Sequence, residues 1–195
     1  MNVIRNLLAL VGLLALVGGG YLFTRVAADI DAFTRLDPAA RQVYADMWKK
    51  LRETGNVADA TVWKMPLQEG VSREDAEQTM RFVANEHNIK NVGELPLSEQ
   101  VELMTGKKQR FLKIYQFCNP LTAMRMVDYS DAFSAYLPCR IAMVEGKDGR
   151  FALYTLNMDL MISGGRTLPP ELRAEAGRVR DIIRDIMERG VAADF

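Results

Sequence analysis

From Leu7 to Phe23 the chain carries no charged residue and is interrupted only by Gly12 and Gly18–Gly20. No other feature restricts the chain as much, because an uncharged run of this length has to be taken out of water. Val26, Ala27 and Ala28, beyond Arg25, bring the apolar reach close to the ~20 residues that a bilayer core requires. We read it as one membrane helix with Arg25 at the far headgroup level. The rival reading is a cleaved signal peptide, with Leu7–Val17 as the apolar segment and Val26-Ala27-Ala28 as a small-residue cleavage site. Tyr21-Leu22-Phe23 lengthens the run and Arg25 crowds that site, which favours an anchor. Arg5 precedes the run while Arg25, Arg35 and Arg41 follow it, an imbalance that opposes the positive-inside rule. A short basic tail before a first helix usually stays in the cytoplasm, and a long following domain translocates largely regardless of its charges. The expected address is therefore the inner membrane, single pass, with the domain in a periplasm-like space. The alternative is secretion after cleavage.

The remainder divides into a connecting helix over residues 29–56 and a domain over 57–195. Asp37-Pro38 has the form of a helix start, with aspartate as cap and proline first in the helix, and Val43, Tyr44, Met47, Trp48 and Leu51 recur at helical spacing. Thr61–Leu67 alternates as a strand does, and Ser72 caps a helix with Glu74 and Asp75 in its first turn. Asn91–Leu95 reads as a short strand and Ser98–Met104 as a short helix. Phe111–Phe117 is the clearest strand, and Pro120 starts a helix. Arg140–Glu145 and Arg150–Leu156 form a hairpin around Gly146-Lys147-Asp148-Gly149, where Asp-Gly supplies the positive φ of a tight turn. Over 168–189, Leu172, Ala176, Val179, Ile183 and Ile186 make the apolar stripe of an amphipathic helix, expected to dock on the sheet. Strands and helices do not alternate strictly, so the expected fold is α+β: a mostly antiparallel sheet of four or five strands with helices packed on it.

Lys plus Arg and Asp plus Glu are both 25, so the formal charge is zero. Nucleic acid is not the expected partner, since such binding draws on a surplus of basic residues. The one histidine, His87, excludes a zinc site built on several histidines, and two cysteines exclude a four-cysteine site. Asp159 and the carboxylates of the last helix make no recognisable acid/base pair. No cofactor can be named.

Both cysteines stand where a strand-like run meets a break. Cys118 closes the first run and precedes Asn119-Pro120, while Cys139 follows Leu137-Pro138 and opens the second. If the two strands are neighbours, the thiols meet near one end of the sheet. Phe-Leu-Lys-Ile-Tyr-Gln-Phe-Cys-Asn-Pro, a helical segment, then Tyr-Leu-Pro-Cys-Arg-Ile-Ala-Met-Val-Glu and the Asp-Gly hairpin resemble the domain-of-unknown-function 302 family. The resemblance implies a compact α+β domain, a homodimer, and a family whose biochemical role is not established. Cys118, Asn119, Pro120, Leu137, Pro138 and Cys139 would be its signature.

Three readings of the cysteines stay open: a disulfide in an oxidising compartment, buried free thiols acting as small apolar fillers, or a functional pair. A functional pair would exchange thiols or hold a soft metal such as Cu(I), with Met158, Met161 or Met143 as thioether ligands. Arg140 would lower a neighbouring thiolate pKa or bind an anion. The function expected is binding of a small ligand or a protein partner at a site formed by Cys118, Asn119, Pro120, Pro138, Cys139 and Arg140. A thiol-redox or soft-metal protein is the alternative.

Overall fold

The structure, a computed structural model, describes residues 2–195. Helix α1 (Asn2–Thr34) contains the uncharged run, stands clear of the rest of the chain except at its last turn, where Phe33 packs on Tyr44, and is long and apolar enough to cross a membrane or to serve as a signal sequence. At 1.5 Å per residue its length is about 50 Å, more than a hydrocarbon core requires. It continues unbroken through residue 28.

The period-two runs become five strands: β1 (Val62–Pro66), β2 (Lys90–Leu95), β3 (Leu112–Cys118), β4 (Cys139–Glu145) and β5 (Phe151–Leu156). They form one sheet in the order β1-β5-β4-β3-β2, with every pair antiparallel. The β4–β5 turn closes through Gly146 N–H to the Arg150 carbonyl at 2.7 Å, with Gly149 at φ 77°. Alternation sends Tyr115, Phe117, Ile141, Met143 and Leu153 to one face, where all are fully buried. Each such side chain is worth about 1.5–3 kcal/mol of burial.

Two helices, α4 (Arg73–Glu86) and α8 (Pro170–Ala192), close that face. The stripe Leu172, Ala176, Val179, Ile183 and Ile186 is buried, and α4 buries Ala76, Met80, Val83 and Ala84 against it. A Cβ built on Gly190 would lie 2.8 Å from Met80 Cγ, so glycine lets these helices approach closely. Ser72 caps α4 by accepting from Asp75 N–H, and Gly106 ends α5 (Leu97–Thr105) in the left-handed region.

One local expectation is corrected. Helix α2 (Ala40–Thr54) begins at Ala40 rather than at Asp37-Pro38. Asp37 is buried instead: its carboxylate accepts from Ala39 N–H at 2.9 Å and from Arg173 at 3.1 Å, and its N–H donates to the Gly165 carbonyl at 2.8 Å. The Tyr44 hydroxyl donates to the neighbouring Gly164 carbonyl at 2.6 Å. These bonds fasten the link after α1 and helix α2 to the segment after a six-residue helix, Met158–Ser163, whose period is too short to read from sequence. A four-residue helical turn, Val57–Ala60, forms α3, and the Met158–Ser163 helix becomes α7 once α6 (Pro120–Tyr129) is counted.

Candidate functional site

Cys118 is the last residue of β3 because Asn119-Pro120 converts strand into helix there. The Asn119 side chain accepts from Thr122 N–H at 3.2 Å, and Pro120 takes the first helical position, where no N–H is needed. After α6 and a 3-10 turn (Asp131–Tyr136), a cis Leu137-Pro138 peptide leads into β4, whose first residue is Cys139. The register sets Phe117 opposite Cys139, so both cysteines lie at the same end of the sheet. Both are free thiols, half-buried.

Next to Cys139 a cavity of about 290 Å³ opens between the ends of β4 and β5 and helix α7. Leu156, Met158, Leu160 and Met161 make it chiefly apolar; Thr61, Tyr136, Thr155 and Asn157 supply its polar atoms, with Arg140 on the wall. Part of that polarity is already engaged. Thr155 donates to the Arg140 carbonyl at 2.7 Å, and Asn157 caps α7 by accepting from Asp159 N–H at 3.0 Å. The cap fixes the helix, and the i, i+3 spacing turns Met158 and Met161 to one side. Adjoining it is a second, smaller space of about 30 Å³, lined by Cys118, Asn119, Met126 and Leu137 among others; Cys139, Met158 and Met161 line both spaces. Wider grooves of about 560 and 530 Å³ run along α8 and beside the Gln68–Val71 turn, but they are more polar and more open.

Burial pushes the Cys139 thiol up to about 11, with Cys118 adding to the effect; the Cys139 backbone and Arg140 oppose it more weakly. Burial also raises Cys118. The net direction is opposite to the thiolate activation expected of Arg140, because loss of water outweighs a guanidinium on an exposed residue. The raised values lower the thiolate fraction of both cysteines, which is unfavourable for thiol exchange.

Of the residues singled out in sequence, Cys118, Asn119, Cys139, Arg140, Met158 and Met161 gather around the two spaces. Pro120 and Pro138 shape the chain on either side and line neither. Met143 is fully buried in the main core, two residues from Ile141 on the same face, and is not beside the thiols. Sequence reasoning missed Met126, Thr61, Tyr136, Leu156 and Asn157. Only Asn157-x-Asp159, a capping pattern, gave a local signal.

Comparison with known proteins agrees with this architecture. Residues 63–190, well over half of the chain, match the model of the family described as domain of unknown function DUF302. The crystal structure of an uncharacterized conserved DUF302 protein from Bacillus stearothermophilus superposes with a TM-score of 0.54 at 11% identity, covering 66% of this chain and 97% of that one. At that identity the likeness concerns the fold alone. No curated protein matches the chain.

Proposed function

The chain belongs to the DUF302 family, and from that premise we propose that it is a membrane-anchored binding protein whose ligand is a small, chiefly apolar molecule seated beside Cys139. The observation that carries this reading is the 290 Å³ cavity walled by Leu156, Met158, Leu160 and Met161. Concave, mostly apolar pockets with a few polar groups are the usual form of small-molecule sites. At about 30 Å³ per water-sized group, the volume suits roughly ten heavy atoms. Two further facts support an apolar solute over a reacting one. Burial raises both thiol pKa values, and α7 links the cavity wall to Gly164 and Gly165, which bond Tyr44 of α2 and Asp37 of the link that follows α1. In this reading the pocket lies toward the bilayer, from which such a solute would come.

The finer address belongs to the same proposal: α1 stays as an inner-membrane anchor, the domain faces the periplasm, and two copies pair. Cysteine-accessibility labelling of whole cells and light scattering of the purified chain test those parts.

The ligand reading is tested with n-alkanols from hexanol to dodecanol, measured by displacement of a fluorescent naphthalene probe from the detergent-solubilised full chain. Affinity should rise by ~0.8 kcal/mol per methylene until the chain outgrows the cavity. Leu156→Arg should abolish the trend while the fold persists, since Leu156 is partly exposed at a strand end. Affinity independent of chain length, or unchanged in Leu156→Arg, would overturn it.

A further inference from the structure

The smaller void differs from the cavity in size and in donors. Five sulfur-bearing side chains line it: Cys118 at the end of β3, Cys139 at the start of β4, Met126 on α6, and Met158 and Met161 on α7. Its volume of about 30 Å³ is that of one water-sized atom, too small for an organic ligand. A water there would want two to four polar partners, and sulfur provides only weak ones. On the same wall Asn119 Oδ1 is already committed to Thr122 N–H, which leaves the Asn119 amide and the Thr122 hydroxyl as its remaining polar groups. Hard cations require oxygen ligands, and among the described residues no group of three or more His, Cys, Asp or Glu could hold a metal. Thiol and thioether sulfur select soft ions.

We propose that this void binds one Cu(I) ion, drawing its donors from Cys118, Cys139 and the thioethers of Met126, Met158 and Met161. Donor softness favours Cu(I): three of the five sulfurs are thioethers, which select that ion over harder divalent ones. On binding, each coordinating thiol releases its proton to solvent and its sulfur bonds the metal, and neither sulfur nor copper changes oxidation state. The site goes beyond the ligand reading and does not depend on it.

The test uses the full chain in detergent, reduced and anaerobic, titrated with Cu(I) supplied as its bicinchoninate complex, with X-ray absorption at the copper edge. The expected result is one ion per chain taken from the chelator, in a shell of sulfur alone. Cys118→Ser and Cys139→Ser should each weaken binding by about 100-fold or more, and the shape-retaining Met161→Leu by about tenfold. Circular dichroism separates these losses from loss of fold. No transfer from the chelator to the unmodified chain, nitrogen or oxygen in the shell, or undiminished binding in the double cysteine variant would overturn the proposal. Alkanol binding is read on the same preparations. Alkanol binding without copper removes only this proposal, and copper without alkanol binding removes only the ligand reading.

Discussion

Cys139 makes the site measurable through pH. Its thiol rises from the ordinary value of 9.0 to about 11 in the folded chain, chiefly by burial. A group that holds its proton more tightly when folded contributes stability in full below its unfolded pKa. That contribution is lost as pH rises from about 9 through about 11. The displacement corresponds to about 2–3 kcal/mol at the alkaline limit, and the thiol is enclosed enough for most of it to be felt. Cys139→Ser removes the titration at nearly constant volume. Urea unfolding of both proteins should show a stability difference that is flat from pH 7 to 8.5 and then shifts against the unmodified chain by that amount up to pH 11. Lysines and tyrosines titrating in the same range are common to both and cancel in the difference. Parallel profiles, or a difference of opposite sign, would refute the claim that Cys139 lies in a wall from which water is excluded.

Three other outcomes follow from the structure. Glu94, held at about 2 mainly by Arg81, contributes stability above the ordinary value of 4.5 and loses it as pH falls toward 2, so Glu94→Gln should flatten the acid side of the stability profile. The Tyr115 hydroxyl is buried with no partner within hydrogen-bond distance and the Glu77 carboxylate nearby, so Tyr115→Phe should leave stability within about 1 kcal/mol of the unmodified chain in calorimetry, and a larger loss would reveal a bond to Glu77. At Gly190, where a Cβ meets Met80, Gly190→Val should lower stability in urea by roughly 1–3 kcal/mol through overpacking of α8 on α4.

What could be read from the sequence was what depends on neighbours in the chain. Strands β3, β4 and β5 and their hairpin followed from alternation and Asp-Gly, and α8 followed from the recurrence Leu172 to Ile186. The meeting of the cysteines followed from two strand ends flanked by prolines, once those strands proved adjacent. What could not be read depends on contacts between distant segments. Asp37 looks like a helix cap until Arg173 and Gly165 bury it. Helix α7 has too few residues to show a period, and it carries most of the apolar wall. Thr61, Tyr136 and Leu156 come together only when the sheet forms, so nothing local marks them as one cavity. Met143 was the avoidable error: it stands four residues along β4 from Cys139, roughly 13 Å at the rise of a strand, too far to share a ligand with it.

The most direct measurement is xenon-pressurised crystallography of the full chain. Xenon enters dry apolar cavities, while ordered water marks polar ones. The account predicts an anomalous xenon peak among Leu156, Met158, Leu160 and Met161. A cavity without xenon, filled by waters bonded to Thr61, Thr155 and Asn157, would contradict it.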